Sequence, residues 1–269
     1  MKNTARLMAK KQLGQNFLID PRLKEKIIAA CDLQLTETVL EIGPGLGALT
    51  ELIAPRVKKL IAIEKDQRLC QKLNENFSGT NVTIIPADFL AYPLENLPGK
   101  IKVIGNLPYY IASPIIEKII THRKHICAFF ITIQEELGQR LTAAINSKEY
   151  GAFTCFVQYS MDVAMCFKIK NTAFRPVPKV QSCFLKLTPR LQPRVLPRDE
   201  ELFFKIIRRA FQQRRKILLN SLSPLLERAQ MIQIFNSLNL NPQLRAENLT
   251  LENYASIANA LSQIDEKGN

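Results

Sequence analysis

The chain has 269 residues, 46% of them hydrophobic, and carries 37 Lys and Arg against 24 Asp and Glu, a net charge of +13. Apolar content of that size excludes a disordered or fibrous protein, and the charge excess points toward a polyanion, nucleic acid first. Residues 1–4 (MKNT) lead into polar and basic sequence with no signal-peptide core, and no apolar run approaches the ~20 residues of a membrane helix, so a soluble cytoplasmic protein is expected.

The six cysteines (31, 70, 127, 155, 166 and 183) are scattered without a C-x-x-C pair, and His122 and His125 are the two histidines. They read as buried thiols of a reducing compartment, with neither a disulfide framework nor a metal site. The charge is clustered. Residues 1–30 hold seven Lys/Arg against two acids, and residues 190–228 hold ten against four.

In chain order, β-rich runs at residues 38–42, 59–64, 81–86, 101–105, 128–134 and 153–161 read as buried strands. Helical stretches separate them: Asp66 is placed to cap a helix over 67–76, and 135–146 carries apolar residues at helical spacing. Alternation of this kind predicts an α/β domain, a mostly parallel sheet with helices on both faces. Residues 180–187 alternate and suggest a late antiparallel strand. The stretch 188–198 (TPRLQPRVLPR), with three prolines and three arginines, breaks both helix and strand and marks a boundary. Beyond it, 199–222, 224–238 and 250–264 read as helices. The expected organisation is therefore a domain over 1–190 and a small all-helical domain over 191–269. The first helix of the latter would display Arg208, Arg209, Arg214, Arg215 and Lys216 on several faces, as suits a phosphate-tracking helix.

The first strand runs into Glu41-Ile-Gly43-Pro-Gly45-Leu-Gly47-Ala48. Gly43 and Gly45 allow a sharp turn against a ligand, and Glu64, 21 residues after Gly43, stands where an acid grips ribose hydroxyls. The loop also satisfies the dinucleotide pattern through Gly43, Gly45 and Ala48, so it leaves NAD and S-adenosylmethionine both open. Three features choose the latter. Glu41 and Gly47 complete an E-x-G-x-G-x-G loop with no pyrophosphate to seat. Asp88 follows the third strand, where an acid can accept the exocyclic amine of adenine. Asn106-Leu107-Pro108-Tyr109 follows the fourth strand.

That last segment has a mechanical meaning. The amine of an adenine ring is a poor nucleophile because its lone pair is delocalised. An amide oxygen on Asn106 and the Leu107 carbonyl can each accept one of its N–H bonds, pyramidalising the nitrogen and aiming its lone pair. Pro108 keeps Leu107 out of the helical region, and Tyr109 supplies a ring to stack on an extruded base. Adenine in DNA or RNA, protein glutamine and other planar amines all remain possible targets at this point.

Residues 11–18 (KQLGQNFL), 41–47, 106–116 (NLPYYIASPII), 174–182 (FRPVPKVQS) and 214–222 (RRKILLNSL) together closely resemble the small-subunit ribosomal RNA adenine dimethyltransferases, in order through nearly the whole chain. The resemblance implies S-adenosylmethionine-dependent N6,N6-dimethylation of two adjacent adenosines in the loop near the 3′ end of 16S rRNA. It further implies action on the immature small ribosomal subunit late in assembly, with a monomer as the default state. It places cofactor contacts at Asn16 and Leu18 of an N-terminal segment (1–20), then at Gly43, Glu64, Asp88 and Asn106. The target amine falls at Asn106–Tyr109, and Phe174 corresponds to a second aromatic sandwiching the base. The segments 174–182 and 214–222 favour this group over the related large-subunit enzymes.

Overall fold

The structure, a computed structural model, describes residue 10, residues 13–97 and residues 99–268. Lys11, Gln12 and the first nine residues of the basic N-terminal block lie outside the described residues. The chain divides into two compact units, one of residues 1–138 and 163–189, the other of 139–162 and 190–269. Residues 139–162, which the sequence reading assigned to the first domain, thus belong with the C-terminal helices.

In the first unit, strand β1 (Phe17–Leu18) precedes helix α1 (Pro21–Cys31). The Asp20 side chain accepts from the N–H groups of Arg22 and Leu23, and Pro21 occupies the first turn, where a missing N–H costs nothing. Next come β2 (Thr38–Ile42), α2 (Thr50–Ile53), β3 (Lys59–Glu64), α3 (Gln67–Phe77), β4 (Val82–Pro86), β5 (Ile101–Asn106), α4 (Ala112–Thr121) and β6 (Ile126–Gln134). α4 buries Ile115, Ile116, Ile119 and Ile120, the i, i+1, i+4, i+5 stripe of a helix laid on a sheet.

Helices α5 (Glu135–Leu141) and α6 (Ala152–Ser160) then lead to β7 (Met161–Ile169), the short β8 (Phe174–Arg175) and β9 (Ser182–Pro189). Seven strands, in the order β4-β3-β2-β5-β6-β9-β7, form one sheet, and β1 pairs antiparallel with β8. β4 through β6 are mutually parallel, whereas β9 runs antiparallel to β6. From β2 the chain builds outward through β3 to β4, then returns to place β5 on the other side of β2. That reversal opens a crevice beyond the carboxyl ends of β2 and β5, the usual ligand position in such sheets.

Helices α7 (Glu200–Gln212), α8 (Leu218–Leu222), α9 (Arg228–Ser237) and α10 (Leu251–Gly268) complete the second unit. Its core includes Tyr159, Phe203, Ile207, Leu218, Phe235 and Tyr254, all nearly inaccessible to solvent. No helix among the described residues is long and apolar enough to cross a membrane.

Three expectations are corrected. The run 153–161, read as a strand, is helix α6: the Thr154 hydroxyl accepts from the Gly151 N–H at 3.1 Å and donates to the Arg140 carbonyl at 2.7 Å, fixing a helical first turn. Phe153 and Phe156, one turn apart, stack at 6.2 Å. A short apolar run carries no period of its own, and these tertiary contacts decide it. The helix expected over 135–146 ends at Leu141, and Asn146 adopts a left-handed φ of 66°. Finally, Cys127 and Cys166 are exposed, while the other four thiols are buried; all six are free.

Candidate active site

The crevice at the β2/β5 reversal is a cavity of about 360 Å³. Its walls come from the N-terminal segment 13–19, the glycine loop after β2, the ends of β3 and β4, and residues 106–111. All of these lie in the first unit.

The glycine loop forms because β2 must end against β3. The Gly43 N–H donates to the Ile63 carbonyl at 2.9 Å, and Gly43 holds φ at 63°, where L side chains are strained. A Cβ on Gly43 would meet no protein atom within 4 Å. The surrounding packing therefore does not demand glycine here; what it leaves clear is room for a ligand lying on the backbone. This is the fit expected of an adenosine-type cofactor laid across the loop.

Two acids sit beneath that loop. Glu41 is buried and accepts from the Thr50 hydroxyl at 2.7 Å; burial pushes its carboxyl up to about 7. Glu64, at the end of β3, accepts from the Gly45 N–H at 3.1 Å and the Asp66 N–H at 2.8 Å. Burial raises its pKa, and those bonds oppose the rise. Asp88 stands just after β4, beside the end of β3, where the Ala87 N–H donates to the Glu64 carbonyl at 3.0 Å. Its Oδ1 accepts from the Leu90 N–H, and its Oδ2 pairs with Lys65 Nζ at 2.7 Å, which holds the carboxyl below its ordinary range. An ionised acceptor is thus available to an amine at the cavity rim.

The Asn106–Tyr109 segment leaves β5 at the same mouth. Asn106 Nδ2 donates to the Asn16 carbonyl at 3.0 Å, so the carboxamide is oriented and Oδ1 is left outside that bond. The Leu107 N–H donates to the Thr132 carbonyl on β6 at 3.1 Å, and its side chain is buried. Pro108 opens a 3-10 turn closed by Ile111 N–H to Pro108 carbonyl, with φ −59° and ψ 129° at the proline. The Tyr109 hydroxyl shares a 2.7 Å hydrogen bond with Ser182 Oγ on β9, and burial raises its pKa. Ser182 closes the 174–182 motif, so that segment anchors the ring of the first. The close packing extends to Gly105: a Cβ there would stand 2.7 Å from Leu107 Cδ2 and 3.3 Å from Ile42 Cβ.

The structure thus brings Asn16, Leu18, Gly43, Gly45, Glu64, Asp88, Asn106, Leu107, Pro108 and Tyr109 to one cavity. Phe174 is not among them. It is 1% exposed, pairs with Leu18 across β1 and β8, and packs in the core behind the cavity wall. As an expected base-stacking ring it is corrected to a support for Leu18. Tyr110, 58% exposed at the cavity, is an aromatic that the sequence reading passed over, although its place beside Tyr109 was a signal for it. Phe17 and Gln15 were likewise missed.

In the second unit the five cations expected on one helix are separated. α7 ends at Gln212, and Arg214, Arg215 and Lys216 lie in the turn before α8. α7 buries Phe203, Ile206, Ile207 and Ala210; the stripe would next need an apolar residue at 213 or 214, where Gln213 and Arg214 stand. Arg208 is exposed and Arg209 half-buried, and both line a cleft with Lys205 and Gln212. Arg214 donates to the Lys148 carbonyl at 2.8 Å and lies 3.6 Å from Glu247.

A profile of the family described as "Ribosomal RNA adenine dimethylase" matches residues 6–263. The "Ribosomal RNA small subunit methyltransferase A" of Moorella thermoacetica is 39% identical over 268 residues, covering 95% of this chain and 93% of the relative. Its namesake in Geobacillus thermodenitrificans is 39% identical over 265 residues, 94% and 90% of the two chains. Among solved structures, a dimethyladenosine transferase from Plasmodium falciparum shares the fold, with a TM-score of 0.78 at 24% identity over 94% of this chain and 98% of that one. The 23S rRNA methyltransferase ErmE superposes with a TM-score of 0.73 at 25% identity, over 92% and 100%.

Proposed function

Because this chain belongs to the ribosomal RNA adenine dimethylase family, we propose that it converts two adjacent adenosines near the 3′ end of 16S rRNA to N6,N6-dimethyladenosine, acting in the cytoplasm as a monomer on the immature small subunit late in assembly. The observation that carries the reading is the Asn106–Tyr109 turn, oriented through Asn16 and Ser182 at the mouth of the cavity that Gly43 and Glu64 line.

The cofactor is S-adenosylmethionine, which supplies an electrophilic methyl group on a sulfonium. Gly43 leaves backbone room for it, Glu64 offers carboxylate oxygens to its ribose, and Asp88 accepts from its adenine amine; Asn16 and Leu18 complete the wall. On the substrate side, Asn106 Oδ1 and the Leu107 carbonyl accept the two N–H bonds of the target amine, localising its lone pair. Tyr109, held by Ser182, stacks on the extruded base. With its lone pair localised, the amine nitrogen would accept the methyl that bound S-adenosylmethionine would supply, and the positive charge would come to rest on that nitrogen. The methylated ammonium is acidic enough to release its proton to water, so this chemistry asks for no general base.

Of the methyl-transfer domain expected over 1–190, with residues 1–20 as its cofactor and RNA segment, residues 139–162 go instead to the RNA-holding helical domain expected over 191–269. Arg208, Arg209, Arg215 and Lys216 meet phosphates there, with Arg214 sharing that work with its Glu247 contact. A large-subunit target is the second reading, favoured by the likeness to the 23S enzyme; the higher identity to small-subunit relatives argues against it. The test is transfer of labelled methyl groups to each subunit from cells lacking the modification, with mass analysis of the adenosines. The proposal expects four methyl groups per small subunit, as two dimethyladenosines, and none on the large. Label on the large subunit alone, or on neither, overturns it.

A further inference from the structure

Asp66 is the most heavily bonded side chain near the cavity, and nothing in the transfer chemistry above uses it. It sits two residues beyond Glu64, with its side chain 1% exposed. Arg68 donates to it twice from the guanidinium, at 3.1 and 2.7 Å, and once from its backbone N–H at 3.2 Å. That fork keeps the carboxyl ionised despite burial, holding it far below the ordinary range. A helix cap needs only the backbone bond. The remaining donors come from 51 and 56 positions earlier in the chain: Gln15 Nε2 reaches Oδ2 at 3.3 Å, and Lys10 Nζ reaches Oδ1 at 3.4 Å.

Those two residues belong to the N-terminal segment. Gln15 is followed by Asn16, Phe17 and Leu18, all of which line the cavity, and the Asn16 carbonyl receives the Asn106 amide. On its other side, the Asp66 N–H donates to Glu64 Oε1. One residue therefore joins three parts: its buried carboxylate bonds the N-terminal wall and the first turn of α3, and its backbone N–H bonds the ribose-gripping acid. Lys10 is 45% exposed and its pair is long, so it contributes little. Gln15 is half-buried and makes the neutral contact from this segment.

We propose that Asp66 is a positioning residue that latches the N-terminal segment across the cofactor cavity through Gln15, so that cofactor retention depends on this contact while the methyl-transfer step does not. The inference rests on the S-adenosylmethionine reading of the cavity. It gives the glutamine of the 11–18 motif a reason to be there.

The test is calorimetric binding of S-adenosylmethionine to the full chain as wild type, Gln15→Leu, Asp66→Asn and the double variant, with thermal melts of each. Asparagine still caps α3, and Gln15→Leu leaves the Asp66–Arg68 pair untouched. Each single variant should bind the cofactor about 10-fold more weakly, because less of the protein holds the closed wall. The double variant should bind no more weakly than Asp66→Asn, since both remove one contact. In methyl transfer, the loss should fall on the KM for cofactor and not on kcat. Wild-type affinity in Gln15→Leu overturns the latch, and so does an additive double variant. Should Asp66→Asn melt early, Gln15→Leu decides alone. Failure of the wild type to bind the cofactor overturns the cavity reading, and the latch with it.

Discussion

Glu41 lies buried under the glycine loop, bonded to Thr50, with its carboxyl raised from the usual 4.5 to about 7. Desolvation is the main cause. Between those values the folded protein keeps a proton that the unfolded chain has lost, so stability falls as pH rises through the window. The favourable contribution is complete below about pH 4.5 and gone above about pH 7. Glu41→Gln keeps an acceptor for Thr50 without titrating. Relative to that variant, the wild type should lose on the order of 3 kcal/mol between pH 4.5 and 8. Thermal melts of both proteins across that range check this, and parallel curves contradict it. At this scale, the residues legible in the sequence were those that share one turn: Gly43 with Gly45, and Asn106 through Tyr109. The Asp66–Gln15 contact spans 51 positions, and no local pattern announces it. Phe174 was misplaced for the same reason: a motif gives an aromatic its position in the chain but not the side of β8 on which it packs.

Elements were legible where their period was unambiguous. β2, β3, β5 and β6 read as apolar runs because they are largely buried inside the sheet, edge strand β4 is only half-buried, and the bounds of all five differ from the sequence expectation by a residue or two at most. α6 was lost to a strand because nine residues of mixed aromatic and small side chains fit either period. α7 was carried too far because its charges, unlike its apolar stripe, continue past Gln212. That break has energetic consequences. Arg208 is exposed on α7 and Arg209 half-buried beside it, whereas Arg214 is engaged with Lys148 and Glu247. Replacing Arg208 and Arg209 together by alanine should change stability by less than about 0.5 kcal/mol and lower the salt slope of RNA binding by about 1 to 2. Arg214→Ala should instead cost about 1 kcal/mol of stability, a partly exposed pair and one hydrogen bond. Denaturant melts and binding titrated against salt separate the two effects; equal salt slopes for all variants contradict the assignment.

At the scale of the whole molecule, the net charge of +13 is held mainly by two stretches, one leading into the cofactor wall and one opening the helical unit. The lysines and arginines of neither stretch take part in the transfer chemistry assigned here, which rests on the Asn106 and Leu107 acceptors and the Tyr109 ring, with Asn16 of the first stretch orienting Asn106. The fold class followed from the alternation of strands and helices, whereas the strand order that opens the crevice did not. The membership of 139–162 in the second unit did not, because it depends on which core receives Tyr150, Cys155 and Tyr159. The division of labour is testable at a single atom. In Asn106→Ala the amine loses its side-chain acceptor while every basic residue remains. Methyl transfer measured under saturating cofactor and small subunit should fall by about 10²-fold or more, with RNA affinity within about twofold of wild type. Transfer persisting near the wild-type rate, or lost only in proportion to RNA binding, would contradict the claim that this turn activates the adenine amine.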